Sequence, residues 1–262
     1  MTRARVRWVA PVIVAIAAAA GSCTEISTNP TTVMAIEFDS LPFPAIVTGD
    51  SLRDSLGNAV PLRAIAFNSS GGVIPNPSIT FLALDSGLTI GPTGLVTAQA
   101  RSGTIRVIAS VPGLQSNAET LRVARRPDSV SAITAVVDTV LYVLPDVPST
   151  NSSPPLTLAL TTLDTAGGVT VTQGWLVSWQ VLFHGRTLAI TDTTVASLWT
   201  PAGLPALLDT TGLDGTATRT LRIRPAGLPT TAESVTVVAS VRYRGAPVRG
   251  SPVTFLIQIR PK

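Results

Sequence analysis

Two residues limit the nucleophilic and metal chemistry open to this chain of 262 residues, which has one cysteine, Cys23, and one histidine, His184. Hydrolases with a serine or cysteine nucleophile use a histidine as general base, so such a site would have to use His184. That residue lies in Phe183-His184-Gly185-Arg186, which is typical of a hairpin turn. Zinc needs three or four nitrogen or sulfur ligands, which one histidine and one cysteine cannot supply. The sequence therefore predicts no catalytic residues, no metal site and no cofactor.

Acidic residues with polar neighbours offer the oxygen ligands that calcium prefers. The candidates are Asp209 with Asp214, Asp192 beside threonines, and Asp50 with Asp54. The EF-hand pattern is absent, and aspartate recurs at β-turns because its side chain bonds the nearby backbone. We expect turns at these positions, with calcium binding as the alternative.

The tryptophans are candidates for the core and for ligand contact. Trp175 and Trp179 are four residues apart, so a strand places them on one face with Val177 and Val181, which is typical of core packing. Trp199 precedes a Thr-Pro pair that is typical of a loop, which makes it the candidate for an exposed contact, including one with a sugar ring.

The first 23 residues have the three-part layout of a secretory signal peptide. Arginines occupy positions 3, 5 and 7, an apolar run covers 8–20, and small residues lead to Cys23. The apolar run is shorter than the ~20 residues that a membrane-spanning helix needs. Residues 1–22 are therefore predicted to form a signal-peptide helix that is removed on export.

The end of this segment, Ala20-Gly21-Ser22-Cys23, resembles the lipobox of bacterial lipoproteins, although the family prefers leucine where Ala20 stands. The resemblance implies cleavage between Ser22 and Cys23, a diacylglycerol on the Cys23 thiol and an acylated new amino group. Several acyl chains hold a membrane far better than one. The resemblance also implies sorting to the outer membrane, in a cell that has one, because Thr24 rather than aspartate follows the cysteine. Residues 23–32 are predicted to be the lipidated cysteine and a polar tether.

Charge argues against nucleic acid as a partner. Removing the three arginines of the signal peptide from 19 basic residues leaves 16, against 15 acidic residues. The remaining arginines are scattered, whereas a nucleic-acid footprint needs clustered positive charge. The mature chain is therefore predicted to bind no nucleic acid.

The rest of the chain reads as β-structure, because short apolar runs alternate with turn signals every 8–12 residues. Only 13% of residues are charged, and threonine and valine are frequent, as in half-buried sheets. In the first half the predicted strands are 33–38, 45–47, 60–67, 79–83, 95–98, 104–111 and 119–124.

The first half resembles the group-2 bacterial immunoglobulin-like domains. The resemblance is carried by Ile79-Thr80-Phe81 with Asp85, Gly94-Leu95-Val96-Thr97-Ala98, Gly103 and Ile108-Ala109-Ser110. It implies a sandwich fold and a spacer or adhesion module, without naming a ligand.

In the second half, 235–243 and 253–259 alternate between apolar and polar residues. The run 209–218 resembles a turn and strand of the group-1, invasin-type domains. This half is longer than one such domain, and we place the excess in two loops, 145–155 and 199–208.

The sequence thus predicts an all-β fold, with two tandem immunoglobulin-like β-sandwiches (33–125 and 126–262) after an N-terminal signal-peptide helix. The predicted function is that of a non-enzymatic, membrane-anchored envelope lipoprotein presenting these domains for adhesion or protein–protein interaction. Two alternatives stay open: an accessory subunit docked on a membrane protein complex, and a carbohydrate-binding module. The expected partners are a membrane, through the lipid on Cys23, and an unidentified protein or glycan.

Overall fold

The computed structural model describes residues 32–99, 102–164, 166–225, 228 and 231–262. Within these residues the regular structure is β-strand, with no α-helix, so the predicted all-β fold class is confirmed. The predicted signal-peptide helix lies outside the described residues.

The strands fall into two groups by their pairing, which we call the first unit (35–124) and the second unit (129–261). The first unit contains β1 (Ala35–Phe38), β2 (Ala45–Val47), β3 (Ala64–Phe67), β4 (Thr80–Ala83), β5 (Leu88–Ile90), β6 (Val96–Ala98), β7 (Gly103–Val111), β8 (Leu114–Gln115) and β9 (Glu119–Ala124). Within the described residues, each strand pair joins strands of the same unit. The domain boundary at 125–126 stays a prediction.

The second unit has the larger sheets. It contains β10 (Ser129–Ala132), β11 (Val137–Tyr142), β12 (Leu156–Leu163), β13 (Val169–Val171), β14 (Leu176–Phe183), β15 (Arg186–Thr187), β16 (Ala196–Trp199), β17 (Leu208–Thr210), β18 (Thr216–Ile223), β19 (Glu233–Ser240), β20 (Arg242–Tyr243), β21 (Ala246–Pro247) and β22 (Val253–Pro261).

The second unit is an immunoglobulin-like sandwich by its strand order. One sheet runs β10-β12-β18-β16, and the other runs β11-β22-β19-β14-β15. These orders correspond to A-B-E-D facing G-F-C in the lettering of that fold. The first two strands of this unit belong to different sheets. β10 pairs antiparallel with β12, and β11 then pairs parallel with the last strand, β22.

The first unit repeats this plan with shorter strands. Its main sheet runs β2-β9-β7-β4, in which β2 is parallel to the last strand, β9. The facing layer consists of the pairs β1-β3 and β5-β6. Both units are therefore sandwiches in which the first strand is divided between the two layers.

The period of two along the strands builds the core. In β22, Val253, Phe255, Ile257 and Ile259 are buried, while the residues between them face outward. Burying each such side chain stabilises the fold by about 1.5–3 kcal/mol. The alternation predicted for 235–243 and 253–259 is thus the alternation between core and surface.

The predicted strands of the first unit match the observed ones with three differences. The run 60–67 becomes a strand only from Ala64, because Pro61 has no N–H to donate to a ladder. The short strands β5 and β8 were not predicted. Each has two or three residues, too few to display a period.

Candidate functional site

Ser22 and Cys23, the predicted cleavage and lipidation residues, lie outside the described residues. The lipid anchor therefore stays a prediction. In the part of the chain that the structure describes, no helix has the length and apolar character needed to span a bilayer.

Three aspartates that we considered as calcium ligands hold their own turns together. Asp214, Asp192 and Asp54 each accept backbone N–H bonds of 2.8–3.0 Å from residues two to four positions later. The pKa of Asp214 lies below its usual value because the N–H and hydroxyl of Thr216 bond its carboxylate. The turn interpretation is confirmed here. Among the described residues, no three or more His, Cys, Asp or Glu side chains are grouped to hold a metal ion.

Asp209, another calcium candidate, pairs instead with a buried arginine. Arg219 lies on the core side of β18 with 2% of its side chain exposed, and its Nη1 is 2.6 Å from Asp209 Oδ2. The same guanidinium donates to the carbonyls of Ala206, Leu208 and Thr218. Arg219 thus holds the segment that passes from β16 in one sheet to β17 in the other.

His184 lies in the predicted hairpin turn between β14 and β15. His184 and Gly185 have φ values of 48° and 77°, the left-handed pair required by a two-residue hairpin. The ring is exposed, stacks on Phe183 and places Nε2 2.8 Å from Glu233 Oε2. These contacts describe a histidine that braces the hairpin against β19.

Trp175 and Trp179 lie in the core, as their spacing predicted. Their exposed fractions are 4% and 1%, and Val177 and Val181 are buried on the same face. The ring of Trp179 stacks on Phe255 of the last strand, with centroids 6.2 Å apart. Trp179 is therefore part of the central packing of the second unit.

Trp199, the candidate exposed contact, is the last residue of β16 and is half-buried. Its Nε1 donates to Ser197 Oγ at 2.9 Å, and the guanidinium of Arg224 lies 5.7 Å from the ring centroid. Arg224 and the buried Arg222 both reach Asp146 in the predicted loop 145–155. The loop therefore covers the outer face of β18 beside Trp199.

The two units meet at a packed contact that we call the junction, formed by Phe43, Asp50 and Gly57 of the first unit and Trp175, Tyr243 and Gly245 of the second. Its charged centre is Asp50, whose side chain is 7% exposed. The carboxylate accepts bonds from Tyr243 Oη at 3.0 Å and from Arg244 Nε at 2.9 Å. Arg53 of the first unit pairs with the same carboxylate at 2.9 Å.

An aromatic layer lies beside this carboxylate. The ring of Phe43 is 5.0 Å from that of Trp175, and Trp175 is 6.1 Å from Tyr243. Trp175 Nε1 donates to the carbonyl of Arg242 at 3.1 Å, which satisfies the polar atom of the buried indole. The cavity left in the junction is about 30 Å³, room for one or two water molecules. The two units are thus in close contact here.

Backbone contact between two turns completes the junction. Gly57 and Gly245 have φ values of 93° and 77°, and a Cβ on either would overlap the backbone of the other unit's turn. For Gly57 the overlapping atoms belong to Arg244 and Gly245. For Gly245 the nearest is the carbonyl oxygen of Leu56. Only glycine fits at these two positions.

The electrostatics of the junction favour the ionised carboxylate. Burial opposes ionisation of Asp50, but hydrogen bonds from Arg244, Arg53, the Ser51 N–H and Tyr243 outweigh it and hold the pKa of Asp50 well below its usual range. Burial, and then the bond to Asp50, raises the pKa of Tyr243. The phenol therefore stays protonated and donates to a charged acceptor, which is the stronger type of hydrogen bond.

We expect Asp50→Asn to destabilise the protein by about 2 kcal/mol, because buried hydrogen bonds to a charged group are lost. Asp85→Asn is the matched control, since the Asp85–Arg106 pair has the same 2.9 Å distance but is exposed and lies within the first unit. Solvent screens an exposed pair, so we expect a clearly smaller loss of stability for Asp85→Asn. Urea unfolding of the two variants measures both values, and equal losses would contradict the role of Asp50 in the junction.

Comparison of the wild type with Asp50→Asn also gives a pH test. Because the folded-state pKa of Asp50 lies below the unfolded value of about 3.9, its stabilisation is complete above about pH 5 and is lost as the pH falls towards the folded pKa. The stability difference between wild type and Asp50→Asn should therefore be constant from pH 8 to 5 and should shrink below pH 4.

Sequence reasoning found Asp50 only as a turn residue and a calcium candidate. Its partners Tyr243 and Arg244 are 193 and 194 positions away. No local pattern links residues so far apart. The one available signal was glycine in two turn sequences, at positions 57 and 245, and glycine is common in turns that contact nothing.

No protein-family model and no curated protein matches this chain. Solved structures with a related strand arrangement include domains 4 and 5 of the S-layer protein SbsC, at 14% identity over 87% of this chain and 98% of that one, with a TM-score of 0.31. The adhesin InvE of Yersinia pseudotuberculosis has 16% identity over 84% of this chain and 58% of that one (TM-score 0.31). The Escherichia coli adhesin FdeC has 15% identity over 85% and 63% (TM-score 0.28). Scores at this level carry no functional argument.

Proposed function

We propose that this protein is a non-enzymatic lipoprotein of the bacterial envelope, held to the membrane by lipid on Cys23, that displays two immunoglobulin-like units as one body for adhesion or protein–protein interaction. The observation that carries the display function is the junction. Asp50 is bonded from both units and the two glycine turns touch through their backbones. A joined pair of sandwiches projects its outer end further from a membrane than two freely hinged ones.

The anchor is supported by the sequence of the first 23 residues, with the only cysteine placed directly after the small residues that follow the apolar run. Lipid on that cysteine would leave the folded units outside the bilayer, on the side to which the chain is exported. By the resemblance to lipoproteins, Thr24 after the cysteine directs this proposal to the outer membrane.

Cys23→Ala tests the anchor. We expect this variant to lose all incorporation of labelled palmitate and to move from the membrane fraction to the soluble fraction. Thr24→Ala is the control, because it changes the neighbouring residue and keeps the thiol. A Cys23→Ala protein that stays in the membrane fraction, or that still incorporates the label, would show that the lipid is not attached here.

A pulldown from gently solubilised membranes separates display from the accessory-subunit alternative. A display protein is recovered largely free of other membrane proteins. Recovery of one membrane protein complex at fixed stoichiometry would replace the proposal with the accessory-subunit function.

A further inference from the structure

A second contact region between the units holds an open cleft of about 300 Å³. The first unit contributes Gly103 of β7 with Arg122 and Arg125 at the end of β9. The second unit contributes Thr170, Val171 and Gln173 from β13 and the residues after it. Clefts between domains are frequent binding sites because both sides present side chains to the same space.

The two arginines of this cleft have neutral partners. Arg122 donates to Gln173 Oε1, and its aliphatic stem packs on Gly174, where a Cβ would come within 2.6 Å of Arg122 Cδ. Arg125 Nη1 lies 3.5 Å from Thr170 Oγ1. In the part of the chain that the structure describes, the ion pairs to carboxylates use other arginines.

Two uncompensated guanidinium groups give the cleft a specific chemistry. Amide and hydroxyl partners orient an arginine without neutralising its charge, so the positive potential of both groups remains available to a ligand. The planar guanidinium matches a carboxylate through two parallel hydrogen bonds. The cleft is therefore suited to an anionic group.

Exposed apolar residues that continue from Val171, which lines the cleft, along the outer face of β13 indicate what carries this group. Val169 and Val171 lie on one face of β13, with 67% and 43% of their surfaces exposed, and Leu163 stands opposite Val169 with 58% exposed. Leu213, 76% exposed, is tied to the same region by the 2.6 Å bond from Gln173 Nε2 to its carbonyl. The lining residues include no aromatic ring, which sugars and nucleic-acid bases use for stacking.

We propose that this cleft binds a partner protein through an acidic side chain flanked by apolar residues, with the carboxylate on Arg122 and Arg125 and the apolar residues on Val169, Val171 and Leu163. The inference rests on the proposed function, since it names the chemistry of the partner that a display protein would bind. It does not depend on the lipid anchor.

The test uses the full chain with two defined peptides of eight residues, one alternating valine with glutamate and the other valine with glutamine. Amide chemical shifts are followed during titration. We expect saturable shifts at Gly103, Arg125, Thr170 and Val171, and at least tenfold tighter binding of the glutamate peptide.

The double variant Arg122→Gln, Arg125→Gln should lose at least tenfold in affinity for the glutamate peptide. The control double variant is Arg63→Gln, Arg249→Gln. It removes the same charge from exposed arginines that also lack an ion pair among the described residues but lie outside the cleft, and its affinity should not change.

Three results would overturn the proposal: no saturable shifts with the glutamate peptide, equal weakening in both double variants, or binding of dextran sulfate without binding of the peptide. The last would assign the cleft to a polyanionic polysaccharide. Failure here leaves the palmitate-labelling result of Cys23→Ala unchanged, so the two proposals fail separately.

Discussion

Gly245→Ala should separate the two units, whereas Gly185→Ala should leave them joined. Both glycines are the second residue of a two-residue hairpin turn, both have φ 77°, and the residues before them have φ 50° and 48°. The cost of a left-handed alanine, about 1–2 kcal/mol, is therefore common to both variants. The difference between them reports the junction alone.

The two variants are expected to differ because the atoms around the added Cβ differ. At Gly185 nothing lies within 4 Å, while at Gly245 a methyl group overlaps the carbonyl of Leu56 in the first unit. Relief of this overlap requires the turns to move apart, which also withdraws Tyr243 and Arg244 from Asp50. Small-angle scattering should show a larger radius of gyration for Gly245→Ala only. Identical scattering from the two variants would contradict the contact.

Arg219→Met should destabilise the second unit by about 3 kcal/mol, the lower end of the loss when one partner of a buried ion pair is removed. Methionine fills the apolar part of the site, but the carbonyls of Ala206 and Leu208 lose the guanidinium donor, and Asp209 loses its ion pair while keeping the N–H bonds from Thr210 and Thr218. Arg219→Lys should recover part of the loss, because an ammonium keeps the charge and cannot reach all the acceptors that the guanidinium serves.

Arg126→Met is the control for this prediction. Arg126 also pairs with an aspartate, Asp128, at 2.7 Å, but 63% of its side chain is exposed. Removing that pair should cost below about 1 kcal/mol. Urea unfolding followed by tryptophan fluorescence measures both variants. A loss at Arg219 as small as that at Arg126 would mean that the segment 205–209 is held by other contacts.

The sequence predicted the structure correctly where the contacts that determine it lie within a single strand, loop or turn. The alternation in 253–259 and the spacing of Trp175 and Trp179 identified core faces, because a strand places every second side chain on the same side. Residues 145–155, rich in proline and serine, were correctly predicted to be a loop. The turn aspartates were also predicted, since their hydrogen bonds join residues two to four positions apart.

The sequence did not predict the contacts that join distant parts of the chain. Arg219 occupies a core position of β18, which a pattern of apolar and polar residues assigns to the surface. Arg219 can be buried because the segment 205–209 supplies hydrogen-bond acceptors for its guanidinium. The junction joins Asp50 to residues near the end of the chain, and the cleft at Arg122 and Arg125 exists only because β13 faces β9.

The central claim is that the two units are displayed as one body, and the distance between them tests it most directly. Paired spin labels at Ser70 in the first unit and Thr187 in the second, both exposed, report that distance by pulsed electron paramagnetic resonance. We predict a single narrow distribution in the wild-type background that broadens in Gly245→Ala and stays narrow in Gly185→Ala. A broad distribution in the wild-type background would contradict the claim.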